Sequence, residues 1–423
     1  MGSDRPGSAA SRALVLTVGL TLLGASGTAT AWTNRPKTAT VRPGQSIQAA
    51  VDAASPGDTI VVLPGDYTES PSKPIAVRIS KPLSLIAKHG RGWRGSSDKR
   101  QHGGEHSNQV RLLAAPGQAH GIFVAPANPG DPVIDGLVIE GFTVENFQKF
   151  GIFVKNVKNF RIEGNESANN LENGIFPVLS TNGLVKRNVS YGSQDSALWV
   201  EASQNIRVVD NDLSGSPTGF EITISSDITA ERNHIHHNTV GVGLYGPNTA
   251  GLPEDQWPSY WDDGRWHIHS NYVHDNNAEN TAEGGMPSAL PLGVGILALG
   301  VHDMDIRWNY VANNDFFGIG LVNYCLAVSP TPFNCHDDPP PADPKPADNL
   351  VARNMLVNNH TAPPPGLFAS FASDLLEIVD FIDALVPGTS PTTNCFYKNK
   401  IWNTPPLAAL TIPDPLPTCA MPN

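Results

Sequence analysis

Glu201 and Glu221 are the residues of this chain whose type and spacing best suit acid–base chemistry. They lie in two short apolar segments, Ala197-Leu-Trp-Val-Glu201 and Gly219-Phe-Glu-Ile222. Alternate residues of a strand share a face. With Leu198, Val200, Phe220 and Ile222 inward, both glutamates point outward. If the segments are neighbouring strands about 4.8 Å apart, an offset of two residues sets the Cβ atoms roughly 8 Å apart. Inverting glycosidases hold an acid and a base carboxyl about 6.5–9.5 Å apart. Such a pair divides those roles when its surroundings separate the two proton affinities. Glutamate is also common on solvated strands, so the pair gains weight only from what lies beside it.

The same outward face carries more. Phe153, Phe176 and Trp199 precede Glu221 at the third position of successive segments. Lys155, Val178, Glu201, Thr223 and Tyr245 occupy the fifth. Stacked strands would turn the aromatics into an exposed row, and flat rings can stack on the C–H faces of sugars. The same row can also be structural, lying under a loop. After Tyr245, residues 247–265 bring Trp257, Tyr260 and Trp261 among Glu254, Asp255, Asp262 and Asp263. Phe153, Lys155, Phe176, Trp199, Tyr245, Trp257, Tyr260 and Trp261 are the substrate-binding candidates.

Histidine supplies the other chemistry. Seven of the 13 histidines lie between His234 and His302, too dense a group to ignore. In the register of the recurring asparagines described next, His236 stacks over His274, His237 over Asp275, and Glu231 under His269. His236, His274 and Asp275 are therefore candidates for a divalent metal. No HExxH-type spacing supports them, and a polar turn region explains them equally. No cofactor is otherwise required.

These residues need a scaffold that repeats. Gly-Ile-Phe-Val begins at Gly121 and again at Gly151, and related starts follow at Gly174, Ala197, Gly219, Gly241, Gly293 and Gly318. Asn165, Asn188, Asn211, Asn233, Asn271, Asn309, Asn354 and Asn399 keep the same beat. Each has a second turn residue four or five places on, such as Asn169, Asn238, Asn276, Asn313 and Asn358. One such unit cannot bury its apolar face alone, whereas stacked units share a core. Asparagines at one corner of successive coils can join in a hydrogen-bonded ladder. A coil of about 22 residues suits three short strands and three bends.

Composition agrees. The chain has 423 residues, and its 34 asparagines outnumber the 28 lysines and arginines, which points to many tight turns. A net charge of −12 argues against a nucleic-acid partner, because phosphate contacts need clustered cations.

Thr40-Val-Arg-Pro-Gly-Gln-Ser-Ile-Gln-Ala-Ala-Val-Asp-Ala-Ala-Ser-Pro-Gly-Asp-Thr-Ile-Val-Val-Leu-Pro-Gly-Asp-Tyr67 resembles the first coil of right-handed parallel β-helix proteins of the pectin-lyase-like superfamily. The Gly-Ile-x-Val and Asn-containing units resemble their repeats. The resemblance spans residues 40 to about 403. It implies an all-β, right-handed parallel β-helix, with a short helix over 46–54 capping the first coil. It also implies carbohydrate as the commonest ligand class. The superfamily's Asp-Pro-His-Asp, Asn-Thr-Asp, Gly-His-Gly and pectate-lyase patterns are missing, so no catalytic residue carries over. Residues 367–386 read as an amphipathic helix with Phe368, Phe371, Leu375, Ile378, Ile382 and Leu385 on one face.

The expected organisation is a signal peptide over 1–31, a β-helix over 32–403 and a tethered tail over 404–423. Insertions fall at 87–108, 247–265, 277–292, 324–348 and 364–393. Arg5, Arg12, the apolar run Ala13–Gly24 and the small residues Ala29-Thr30-Ala31 carry the signal reading, with cleavage near Ala31. About 12 apolar residues fall short of the roughly 20 that span a bilayer. An exported chain with four cysteines favours disulfides, and Cys325–Cys335 with Cys395–Cys419 is the favoured pairing. The expectation is a secreted, periplasmic or cell-surface monomer without a transmembrane segment, acting on a polysaccharide or envelope glycan as hydrolase, lyase or epimerase. Its rival is a non-catalytic envelope binding or structural protein that handles metal.

Overall fold

The computed structural model describes residues 35–89, 109–246, 264–284, 286–324, 345–359, 361–362, 375–381, 393–402, 409–412 and 418. They form a parallel β-helix of three long sheets with 11, 12 and 11 strands, so each coil gives one strand to each sheet. In one coil, Asn173–Val178 belongs to sheet I, Thr181–Lys186 to sheet II and Val189–Tyr191 to sheet III. The described strands pair in parallel and join coil to coil, as in Ile152 with Ile175 and Leu198 with Phe220. The alternating Ile, Val and Leu residues pack into one continuous interior.

Each bend combines two devices. A residue with positive φ turns the chain, and a polar side chain after it ties the bend to the next coil. Leu179, Arg187 and Asn169 have φ of 49°, 54° and 53° at the three kinds of corner. The ladder expected from Asn165 to Asn399 is present, and its rungs are buried or nearly so. The Asn188 backbone N–H donates to Asn211 Oδ1 at 2.9 Å, its side-chain amide donates to the same oxygen at 3.0 Å, and that amide also reaches Ile162 O at 3.0 Å. A second ladder runs from the Ser193 N–H through Ser216, Asn238, Asn276 and Asn314 to Asn359, and Asn170 accepts from the Phe147 N–H at the same corner. Asn169, Asn313 and Asn358, one place earlier, instead take the positive φ. Asparagine thus does two separate jobs at neighbouring positions.

Where sheet I leaves the corner, side chains must vanish. A Cβ on Gly174 would lie 2.0 Å from Ser190 Oγ and 2.5 Å from Ala197 O, inside the coil. At the other end, Ile47–Ala53 is the expected capping helix, and it buries Ile47 and Val51. Ser46 caps it by accepting from the Ala49 N–H, and Glu69 accepts from the Ile47 N–H.

The helix expected over 367–386 is replaced, where described, by a strand. Leu375–Phe381 joins sheet I in parallel with Phe317–Val322, pairing Ile319 with Ile378 and Val322 with Phe381. It is a further coil strand, so the span 364–393 is not wholly an insertion. Leu375 to Phe381 holds β-branched Ile378 and Val379, and an open sheet edge offers every backbone group a partner, which outweighs the helical spacing. Phe368, Phe371, Ile382 and Leu385 lie outside the described residues. So do Cys325, Cys335 and Cys419, and with them the expected pairings. Cys395 begins a strand of sheet II, and no cysteine among the described residues is free.

Candidate functional site

The site is built on the outer surface of sheet I by four consecutive strands, Asn173–Val178, Ser196–Glu201, Thr218–Thr223 and Val240–Tyr245. The register places Trp199 beside Glu221 and Glu221 beside Gly243, with Glu201, Thr223 and Tyr245 in the parallel row. The two glutamates therefore stand diagonally on neighbouring strands, as the strand pattern predicts.

An open, solvated groove on this sheet face is what the outward positions imply, and their surroundings differ from it. Glu201 and Glu221 are only 3% and 4% exposed, and Tyr245 is fully buried. Gly243 explains the placement of the tyrosine. A Cβ there would lie 2.3 Å from the Tyr245 hydroxyl, so the ring folds back over the glycine toward the coil of Glu221. The Ser196 hydroxyl binds Glu221 Oε2. Asp195, immediately before that serine, completes the cluster. Its Oδ2 accepts from the Asn173 side chain at 3.2 Å.

Charge has been gathered here with little to balance it. Burial, the neighbouring Asp195 and then Glu201 push the Glu221 carboxyl well above its ordinary range, against the pull of Ser196. Burial, aided by Glu172, raises Asp195 to about 6 although Asn173 and Ser196 hydrogen-bond it. Burial and then the Glu221 charge raise the Tyr245 hydroxyl. Asp195 Oδ1, Thr218 Oγ1 and Tyr245 Oη are buried without a hydrogen bond of good geometry, and Thr218 is the tyrosine's nearest help. Unsatisfied buried polar atoms cost free energy unless something else fills them. Burial thus favours the protonated form of Glu221, leaves Asp195 to titrate at about 6 and favours the neutral phenol of Tyr245. Those are the parts of a proton-transfer site.

The aromatic row is present but is not exposed. Phe153 and Phe176 are 7% and 5% exposed and form a small buried cluster with Val178. Phe123 and Phe150 stack on Phe153 at 4.6 and 4.9 Å, and the half-buried Trp199 stacks on Phe176 at 4.3 Å with the planes 4° apart. The Trp199 indole N–H donates to Thr223 Oγ1 at 2.9 Å. The row is a wall that ends beside the acid cluster, where Val178 pairs with Glu201 and Trp199 with Glu221 across the strands. Strand alternation assigned its face; it could not say that the rings cover one another. Lys155 stands half-buried in the fifth-position row, paired with Val178. Trp257, Tyr260 and Trp261 lie outside the described residues.

Asp195, Ser196 and Thr218 were not singled out in the sequence. Asp195 precedes its strand, where alternation assigns no face. The usable signal was the column Asn173, Ser196 and Thr218, polar at the first residue of three successive strands.

His234, His236 and His274 stand elsewhere, on sheet III, and His267 and His269 on sheet II, where Glu231 pairs with His269 as expected. The expected stacking of His236 on His274 is observed, and the His237 N–H donates to Asp275 O. His274 and Asp275 bind each other at 2.5 Å. His236 groups instead with Asp212 and His234. Asp212 and His234 follow Asn211 and Asn233 directly, so comparing the residue after each ladder rung would have found them.

Residues 113–252 match the family described as the right handed beta helix region. The A-module of the mannuronan C-5 epimerase AlgE4 of Azotobacter vinelandii superposes with a TM-score of 0.56 at 13% identity, covering 84% of this chain and 90% of that one. The DFA-IIIase of Arthrobacter chlorophenolicus A6, without its lid and in complex with GF2, gives 0.53 at 15% identity, covering 88% and 91%. At these identities the likeness is one of fold. No curated protein matches the chain in sequence.

Proposed function

We propose that this chain is a carbohydrate-active enzyme that performs acid–base chemistry on a neutral glycan with the carboxyl cluster of sheet I. The observation that carries the reading is the burial of Glu221, Glu201 and Tyr245 together with Asp195 on a solenoid exterior. Placing like charges together out of water is costly, and the cost is tolerable where proton transfer needs it. The fold is shared with a mannuronan C-5 epimerase module and a DFA-IIIase, which fits a sugar substrate.

Glu221 keeps its proton at neutral pH and donates it to the leaving oxygen. Asp195, ionised above about 6 and less buried, serves as base or nucleophile. Glu201 raises Glu221, and the Tyr245 hydroxyl donates to a substrate oxygen. The groups that raise Glu221 and Asp195 are acids, so a uronate polymer would meet repulsion where it must react. Export, expected from the first 31 residues, would bring the enzyme to extracellular or envelope glycans. Among the described residues no helix is long and apolar enough to cross a membrane.

The test is a panel of neutral and uronate polysaccharides, read by new reducing ends, by product NMR and by absorbance of unsaturated uronates. A neutral glycan should be cut. Glu221→Gln and Asp195→Asn should each lower kcat by about 10²–10⁴, the usual worth of a positioned acid or base. Activity confined to uronates, or unchanged in both variants, would overturn the reading.

A further inference from the structure

The outer surface of sheet III carries a second group of ionisable side chains that the acid cluster does not use. Asp212, His234 and His236 stand on the neighbouring strands Asp212–Ser214 and His234–His236, and His274 on the next, Tyr272–His274. Asp212 pairs with His234, and His236 with His274. Each strand is only three residues long and is held at both ends by ladder rungs, Asn211, Asn233 and Asn271 before and Ser216, Asn238 and Asn276 after. The side chains therefore rise from fixed backbone, which is what a preorganised site needs.

The hydrogen bonds among them determine where protons can sit. Asp275 Oδ2 lies 2.5 Å from His274 Nδ1, and a carboxylate accepts, so that nitrogen carries the hydrogen. A neutral imidazole has one donor and one acceptor nitrogen, so His274 Nε2 is the acceptor. His234 Nε2 lies 2.7 Å from it and must donate. His234 Nδ1 is then a bare lone pair, and it faces Asp212 Oδ2 at 3.4 Å. A lone pair against a carboxylate repels unless a proton or a metal cation lies between them. The other Asp212 oxygen is 3.1 Å from His236 Nε2. All three residues turn one ligand atom into a space where those atoms lie within 4.8 Å of one another.

We propose that Asp212, His234 and His236 bind one divalent transition-metal ion of the zinc class, with His274 and Asp275 fixing the His234 ring. Two ligands about 2.0–2.1 Å from a tetrahedral ion stand roughly 3.3 Å apart, and each Asp212 oxygen lies near that distance from a different histidine, Oδ1 3.1 Å from His236 Nε2 and Oδ2 3.4 Å from His234 Nδ1. Two imidazoles and one carboxylate select zinc, cobalt, nickel or copper over calcium and magnesium, which prefer oxygen alone. The carboxylate–histidine pair behind the site is the usual way of orienting a ligand ring. The His234 side chain is 41% exposed, which gives an ion access from solvent and leaves room for a fourth ligand. Glu231, His267, His269 and Asp305 stand on sheet II instead, and Asp305 pairs with Arg307.

The experiment uses the full chain without a histidine tag, stripped with a chelator. It is titrated with Zn²⁺ in a calorimeter and with Co²⁺ while visible absorption is recorded. One ion per chain is expected, with Co²⁺ absorption that Zn²⁺ abolishes and no comparable heat from Ca²⁺ or Mg²⁺. Asp275→Asn should weaken binding about 10–100-fold, as loss of an orienting partner does. Asp212→Asn and His236→Ala should weaken it further, while His302→Ala and Glu221→Gln bind as the wild type. Circular dichroism checks folding, and Asp212→Asn, at a partly exposed side chain, carries the test if His236→Ala does not fold. No saturable uptake, equal binding of Ca²⁺, or unchanged affinity in Asp212→Asn would overturn the proposal.

Discussion

Sheets I and II are built from the same coils and the same stacking rules, yet they treat charge in opposite ways. On sheet II the acids of the ladder are met by cations from their own or the next coil, Asp135 by Lys158 and most of the others by arginines. Arg161 lies 3.0 Å from both Glu140 and Glu163, Arg232 lies 2.9 Å from both Asp210 and Glu231, and Arg265 lies 2.7 Å from Asp227. Burial alone would push Glu231 up, but Arg207 and Arg232 hold it below its ordinary value. On sheet I, burial, Asp195 and Glu201 raise Glu221 instead, and burial with Glu172 raises Asp195. A β-helix can thus pair its surface charge easily by repeating it from coil to coil. The buried acid cluster departs from a pattern the same chain follows one sheet away, and that departure is the strongest sign of function.

The comparison can be broken in several ways. The largest effect should be catalytic. If sheet I holds the chemistry, Asp195→Asn removes the acidic limb near pH 6 from the pH profile of kcat/KM, whereas Asp227→Asn on sheet II leaves the profile intact. A limb that persists in Asp195→Asn would assign it to another member of the cluster.

Next comes stability against pH. Asp195 and Glu221 bind protons more tightly folded than unfolded, so their contribution is complete below the ordinary carboxylate range. It is lost as pH rises through the folded values, which for Asp195 is about 6. Asp195 alone should cost about 2 kcal/mol between pH 4 and 7. Urea unfolding across that range should show stability falling, and Asp195→Asn should flatten the curve. A stability that rises over the same interval would mean the cluster is compensated.

Smaller still, the two sheets should answer the same substitution with opposite signs. Glu221→Gln removes a buried acid and should stabilise the protein at pH 8 by about 1 kcal/mol, in the range of ordinary stabilising changes bought at the expense of activity. Glu231→Gln should destabilise it by up to ~1 kcal/mol, the worth of a surface ion pair. The smallest effect belongs to salt. Raising NaCl to 1 M should erode the Glu231 contribution and leave that of Glu221 nearly unchanged, because screening acts on exposed pairs. Equal salt sensitivity at the two positions would remove the distinction.

Much of the fold was legible because its rules act between residues a fixed distance apart. Asn165 to Asn399 mark one corner, and the residues before them must turn the chain. Glu201 and Glu221 were legible for the same reason, since alternation assigns a face inside a strand. Asp195 was not, because it sits at a bend. Nor was the cover over Phe153 and Phe176, because face and exposure are separate properties on a solenoid whose side chains stack on one another. The helix read over 367–386 failed where a seven-residue strand meets an open sheet edge. Apolar spacing could not decide between the two, and the neighbouring strand did.

The asparagine ladder has a consequence for how such a chain changes length. Successive rungs are separated by 23 residues between Asn165 and Asn188, 22 between Asn211 and Asn233, 38 between Asn233 and Asn271, and 45 between Asn309 and Asn354. The bonds are nevertheless the same at every step, 2.9 to 3.0 Å from backbone N–H to side-chain oxygen. The ladder therefore counts turns and ignores contour length. A lineage carrying this scaffold can gain or lose a whole turn, or lengthen one bend by some twenty residues, without renegotiating the neighbouring rungs. Novelty enters at the bends while the inherited spacing stays untouched.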